Sequence, residues 1–72
     1  MKYAVVFEKA KRNYAAYVPD LPGCVSTGKT REEIESNIKE AIEFHIDGLR
    51  ESGQPVPPPT AWVETIELSP VA

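Results

Sequence analysis

The fold is decided by the stretch Pro19-Asp20-Leu21-Pro22-Gly23-Cys24-Val25-Ser26-Thr27-Gly28-Lys29-Thr30. Its prolines fix the backbone φ angle at about −65°, and its glycines permit the positive φ that tight turns often need. The residues between the two glycines, 24–27, are short and β-favouring, which predicts a strand held between two turns. Thr30 then begins a helical pattern. The stretch therefore carries the chain out of one strand, through another, and into a helix.

Two further strands are predicted before this stretch. Residues 3–9 alternate, with Tyr3, Val5 and Phe7 on one face of the strand. Residues 14–18 alternate in the same way after a short polar turn. Because the connection is short, the two strands are expected to form an antiparallel hairpin.

A long helix is predicted at about residues 31–52. Thr30 and Glu33 form a T-x-x-E capping box at its start, and Gly53 follows its end. Apolar positions recur at three- and four-residue steps and predict one core-facing stripe. That stripe consists of Ile34, Ile38, Ala41, Ile42, His45 and Leu49, and it is expected to be widened by Phe44 and Ile46.

The remaining chain predicts a proline-rich spacer at 54–60, a last strand at about 61–68 and a tail at 69–72. The element order is then β-β-β-α-β in one α+β domain spanning 1–72. One helix is expected to cover one face of a mixed four-stranded sheet, with the last strand parallel to a neighbour through a right-handed crossover. The other sheet face is apolar and uncovered, which predicts an oligomer or a protein complex.

Composition narrows the possible functions. A chain of 72 residues buries only about 60% of the surface that it exposes when unfolded, so it is expected to depend on a partner or a second copy. One cysteine, Cys24, and one histidine, His45, form neither an internal disulfide nor a closed zinc site. The sequence shows no signal peptide and no membrane span, so a cytoplasmic protein is expected. The net charge of −3 argues against strong sequence-independent nucleic-acid binding.

Enzymatic chemistry finds little support in the sequence. Cys24 and His45 are the residue types of a thiol nucleophile and its base, but a buried cysteine and a packed or interfacial histidine are preferred. A two-metal nuclease needs converging carboxylates, and the middles of the first three strands carry none. We therefore predict a protein that is not an enzyme and that binds no cofactor or metal.

A possible nucleic-acid patch lies in the first hairpin. Lys9, Lys11 and Arg12 stand close in sequence to Tyr14 and Tyr17, a combination of basic and aromatic residues that can contact nucleic acid. A solvated turn is the preferred interpretation.

The chain closely resembles the HicB family of bacterial and archaeal antitoxins. The resemblance covers nearly the whole chain and is carried by residues 14–30 together with the capped helix. Its most specific part is the signature loop, which we expect to be mainly structural and which contains Pro19, Asp20, Leu21, Pro22, Gly23, Cys24 and Gly28.

The resemblance implies a fold, a partner and a mechanism. The fold is a partial ribonuclease-H-like topology that lacks the nuclease carboxylates. The partner is a HicA toxin, a small basic ribonuclease with a catalytic histidine, which the antitoxin binds and occludes. A homodimer or homotetramer is also expected. Many HicB proteins carry a C-terminal DNA-binding domain; because this sequence shows none, DNA binding is not expected. The alternative is a stand-alone nucleic-acid-binding or orphan interaction domain.

Overall fold

The computed structural model describes residues 1–70, and the last two residues of the predicted tail lie outside that range. Its elements are β1 (Val6–Lys9), β2 (Tyr14–Tyr17), β3 (Val25–Gly28) and α1 (Arg31–Glu51). The α+β class, the three N-terminal strands and the single helix are confirmed. The strands form an antiparallel sheet in the order β1-β2-β3.

The strand register decides which side chains face the helix. Phe7 pairs with Ala16, and Ala16 pairs with Ser26, so these three residues lie on the same sheet face. Ala16 is buried, which marks this face as the one that α1 covers. The helix packs over β3 and β2 and leaves β1 at its side.

The core lies between this sheet face and the first half of the helix. Leu21 and Ile34 are the largest fully buried side chains. The buried cluster consists of Ala16, Val18, Leu21, Cys24, Ile34 and Ile38; half-buried residues packed against it are Tyr3, Val5, Tyr14, Ala41, Ile42 and Ile46.

The second half of the helix departs from the predicted stripe. His45 and Leu49 are only half-buried and lie outside the core cluster. The expectation that Phe44 widens the stripe is wrong, because its side chain is 83% exposed. A helix of 21 residues is about 30 Å long, whereas a four-residue strand spans about 13 Å. The helix therefore outruns the sheet that it packs on.

Both helix ends are capped by local groups. The Thr30 hydroxyl accepts a hydrogen bond from the Glu33 amide at 3.0 Å, and the Glu33 carboxylate accepts one from the Lys29 amide at 3.2 Å. At the other end Gly53 has a φ of 70°, and the Gln54 amide donates to the Leu49 carbonyl. This arrangement satisfies terminal helix carbonyls, as a glycine at C′ commonly does.

The two glycines of the signature loop are needed for different reasons. Gly23 has a φ of 84° and lies in a tight turn in which the Cys24 amide donates to the Leu21 carbonyl. Gly28 does not use positive φ. A Cβ atom there would lie 2.7 Å from the backbone nitrogen of Ile34, so Gly28 is required for close approach between β3 and α1.

The fourth strand is not confirmed. Residues 61–68 lie in neither helix nor strand, and consequently neither the mixed four-stranded sheet nor the ribonuclease-H-like topology is confirmed. The physical reason is the path of the chain. Prolines stiffen residues 55–59, and Thr60 is held at the β2–β3 loop, so the chain leaves the sheet at that end, and residues 61–68 extend from it without pairing with β1 or β3.

Candidate interaction surfaces

Asp20 joins the signature loop to the segment that follows the helix. Its carboxylate accepts hydrogen bonds from the Thr60 amide at 2.9 Å, the Thr60 hydroxyl at 2.6 Å and the Ala61 amide at 2.9 Å. The Thr60 hydroxyl, followed by these two amides, lowers the pKa of Asp20 from its ordinary value of 3.8. The loop residue thus acts as an anchor for a segment 40 residues away.

The rest of the loop is built for packing. Leu21 and Cys24 are buried, while Pro19, Pro22 and Gly23 are exposed and shape the turn. Burial raises the pKa of the Cys24 thiol. A neutral buried thiol is a poor nucleophile, so this position behaves as a small core residue.

The returning proline-rich segment lies against the start of the chain. The Tyr3 hydroxyl donates a hydrogen bond to the Pro57 carbonyl. Val56 and Pro57 are half-buried, whereas Pro58 and Pro59 are exposed. Residues 54–60 therefore cross the end of the sheet where β1 begins and stop at Asp20.

The exposed side of the helix is acidic. The helix carries seven acidic and three basic residues, all of them exposed. Phe44 lies in the middle of this surface, with Glu40 four positions before it and Asp47 three positions after it, and these spacings make them neighbours on the helix. The helix thus presents an exposed aromatic ring beside several carboxylates. We call Glu40, Glu43, Phe44, Asp47 and Glu51 the acidic helix surface.

The open sheet face is the second apolar surface. It is the face opposite the helix, and its central residues are Ala15 and Tyr17 of β2, with Val6 and Val25 on the flanking strands. Tyr17 and Val25 are 41% and 64% exposed. No residue of the described chain covers them, as the sequence predicted.

A groove runs beside β1. It has a volume of about 300 Å³ and is lined by Phe7, Glu8, Lys9, Tyr14 and Arg31. Phe7 faces the helix side of the sheet yet is 46% exposed, because α1 covers β2 and β3 and not β1. The groove therefore lies on the helix-facing side of β1, beside the start of α1.

The predicted basic residues lie at the tip of the first hairpin. Lys9, Lys11 and Arg12 are all exposed, and Lys9 shares the groove with Arg31 at the start of the helix. Glu8 lines the same groove and partly offsets this positive charge.

Sequence reasoning missed two of these residues. Arg31 lies with Lys9 on the groove beside β1, although the sequence pattern predicts only Lys9, Lys11 and Arg12 as basic contact residues. Phe44 is exposed, although the pattern predicts it at the border of the core. The signal that identifies Phe44 is the identity of its helix neighbours, Glu40 and Asp47, which are typical of a solvent face.

Residues 1–70 contain neither a metal-binding cluster nor a helix suited to crossing a membrane. That part of the chain brings no three His, Cys, Asp or Glu residues together as a set that could bind a metal ion. Of the helices described, none combines the length and the apolar character that crossing a bilayer requires.

Comparison with known proteins identifies a family to which the chain is similar. A family model described as HicB-like antitoxin of bacterial toxin–antitoxin systems matches residues 3–70. In solved structures, a chain of a HicA3–HicB3 toxin–antitoxin complex superposes with a TM-score of 0.72 and 35% identity, covering 82% of this chain and 70% of that one.

Curated relatives match over similar lengths of the chain. A 14.9 kDa protein of Haemophilus phage HP1 is 46% identical over 57 residues, which cover 79% of this chain and 43% of the phage protein. A UPF0150 protein of Thermoplasma acidophilum is 43% identical over 79% of this chain and 84% of its own length. Antitoxin HicB 2 of Photorhabdus laumondii is 32% identical over 89% of this chain and 49% of its own length.

These matches place the chain in the class of antitoxins from toxin–antitoxin systems. Within that class it belongs to the HicB-like antitoxin family, as its signature loop and capped helix indicated.

Proposed function

We propose that this chain neutralises an RNA-cleaving, HicA-like toxin by binding it directly and occluding its active surface. The proposal is supported by the family match and by the likeness to a chain of a HicA3–HicB3 complex. The observation that carries it furthest is the acidic helix surface with Phe44 at its centre.

Charge complementarity supports a toxin-binding role for this surface. A HicA-type ribonuclease is implied to be small and basic, because it must bind the phosphates of RNA. The carboxylates beside Phe44 attract the same cationic groups and compete for them. The exposed ring then supplies the apolar contact that a stable interface needs at its centre.

The mechanism is occlusion, with no bond made or broken by this chain. A bound antitoxin prevents the approach of RNA to the toxin's catalytic histidine. Electrostatic attraction accelerates the encounter, and the buried ring slows dissociation. We accordingly propose that the protein has no enzymatic activity, acts as one domain spanning 1–72, and works in the cytoplasm, where messenger RNA is cleaved.

We also propose that the protein self-associates. Its exposed apolar residues are too many for a chain of this size: Phe7, Tyr17, Val25, Phe44, Trp62, Val63, Ile66 and Leu68 are all exposed. A homodimer or homotetramer removes part of this surface from water.

Nucleic-acid binding at the hairpin tip is the second candidate. It is favoured by the position of Lys9 and Arg31 on one groove with the aromatic rings of Phe7 and Tyr14. Binding that weakens steeply with salt and is lost in a Lys9→Ala, Lys11→Ala, Arg12→Ala variant would identify this activity.

The test compares two matched substitutions of exposed apolar residues. Phe44→Lys changes the acidic helix surface, and Val25→Lys makes the same type of change on the open sheet face. We expect Phe44→Lys to weaken toxin binding by about 100-fold, since central aromatic anchors contribute that much, and Val25→Lys to have little effect. The opposite result would move the toxin site to the sheet face.

A further inference from the structure

Residues 61–68, which we call the C-terminal arm, have the sequence of a strand and no strand partner. Trp62, Glu64, Ile66 and Leu68 alternate with Val63, Thr65 and Glu67. Trp62 is 77% exposed and both Ile66 and Leu68 are 81% exposed. An alternating apolar segment with its side chains in water is an incomplete element that requires a surface to cover it.

The arm projects from the folded body. The radius of gyration is 14.8 Å and the longest dimension is 55 Å, whereas a compact chain of this length has a radius of gyration of about 11 Å. The anchor at Asp20 fixes Thr60 and Ala61 by three hydrogen bonds, and the prolines before Thr60 stiffen the approach. The Asp20 anchor and the prolines before Thr60 therefore fix the direction in which the arm leaves the folded body.

The same chain contains a vacant strand position. β1 is an edge strand, with β2 as its neighbour in the described sheet. The groove beside it exposes Phe7 and Tyr14 on the side that faces the helix. β3 is the other edge strand of the described sheet. The approach to the arm favours β1, because the hydroxyl of Tyr3, just before β1, donates a hydrogen bond to the Pro57 carbonyl.

We propose that the arm of one copy adds to the β1 edge of a second copy, so that two chains exchange their arms and complete each other's sheets. This inference rests on the self-association proposed above and specifies its structure. The arm leaves the sheet at the end where β1 begins, and a parallel alignment brings Ile66 and Leu68 to the groove that Phe7 lines.

Exchange of arms explains why one chain carries both an unpaired arm and an unpaired β1 edge. A strand at a sheet edge leaves backbone N–H and C=O groups unpaired, and the arm carries a matching row. Each copy supplies one arm and one edge. In a two-fold symmetric dimer both arms and both edges are therefore paired, and no further copy can add. The sheet that results has four strands and is mixed, with the arm as the parallel member.

The test uses two arm substitutions of the same type on opposite faces. Ile66→Glu removes a groove-facing apolar residue, and Thr65→Glu is the matched control on the other face. Sedimentation equilibrium is expected to show a dimer for the native chain and for Thr65→Glu. Ile66→Glu should weaken dimerisation by about 100-fold, because each dimer loses two buried aliphatic side chains.

Cysteine cross-linking reports the strand pairing itself. In a Cys24→Ala background, one chain carries Glu8→Cys on β1 and the other carries Glu67→Cys on the arm. Mixing and mild oxidation should give a covalent heterodimer; replacing Glu8→Cys by Glu43→Cys, on the outer helix, should not. Since the arm makes no core contact, circular dichroism of each variant is expected to match the native chain.

Three results would overturn the exchange. A dimer that survives Ile66→Glu but is lost in Tyr17→Glu would show that the open sheet face associates, leaving the proposed self-association intact. A disulfide formed within single chains carrying both Glu8→Cys and Glu67→Cys would show that the arm folds onto its own sheet. A chain that stays monomeric at about 100 μM, far above the Kd of a stable dimer, would refute self-association as well.

Discussion

The Asp20 carboxylate holds Thr60 through both its backbone amide, at 2.9 Å, and its hydroxyl, at 2.6 Å. One loop residue thereby ties the β2–β3 connection to the segment returning from the helix. The anchor determines where the C-terminal arm begins, so it links the signature loop to the surface by which the protein is proposed to associate.

Acid should release this anchor. Because hydrogen bonds from Thr60 and Ala61 lower the pKa of Asp20, its stabilising effect is present above the ordinary value of 3.8 and disappears as the pH falls through the lowered value. Amide chemical shifts of Thr60 and Ala61 should move together below about pH 4. The same shifts in Asp20→Asn should show no such transition, and an unchanged titration in that variant would contradict the assignment.

Gly28→Ala should destabilise the fold by about 1–3 kcal/mol, because overpacking forces backbone to move. The added Cβ would meet the Ile34 nitrogen at 2.7 Å, which cannot shift without moving the helix. Gly48→Ala is the matched control, since its Cβ meets nothing within 4 Å and it lies inside the helix. That control should stabilise the protein by about 0.5–1 kcal/mol in urea unfolding.

Gly23→Val should also lower stability, but for a conformational reason. No atom lies within 4 Å of a Cβ at this position, so the cost arises from a φ of 84°. Positive φ costs a β-branched residue about 1–2 kcal/mol or more, whereas asparagine tolerates it better. Thermal unfolding should therefore rank native above Gly23→Asn above Gly23→Val; equal melting temperatures for the two variants would be evidence against this explanation.

Thr30→Ala should cost about 1 kcal/mol, the usual effect of removing an N-cap side chain. The Thr30 hydroxyl accepts a hydrogen bond from the Glu33 amide at 3.0 Å. With alanine at position 30, that amide can bond only to water. Thr30→Ser retains the acceptor and should restore nearly all of the loss. Chemical denaturation measures both, and equal stability of Thr30→Ala and Thr30→Ser would refute the role of the cap.

The parts of the fold that local sequence dictates were predictable. The hairpin follows from alternation at 3–9 and 14–18, and the helix start follows from Thr30 and Glu33. The sequence predicts that position 28 needs glycine, but it attributes this need to a turn with positive φ. Only the packed structure shows that the Ile34 backbone lies where a side chain would be.

Features set by long-range geometry could not be predicted. Alternation at 61–68 is the same for a strand within its own sheet and for one that awaits a partner, so the sequence could not show that the arm is free. The half-burial of His45 and Leu49 follows from the length of the helix relative to the strands, which periodicity does not report. The hydrogen bonds of Asp20 join residues 40 positions apart and leave no local signal.

The proposed antitoxin role requires that this chain silences a ribonuclease by binding it. The most direct test is to titrate the native chain into a HicA-like toxin from the same host and follow cleavage of messenger RNA. Cleavage should fall to zero at a stoichiometric ratio, and Phe44→Lys should require a large excess for the same effect. Full cleavage in the presence of excess native chain would contradict it.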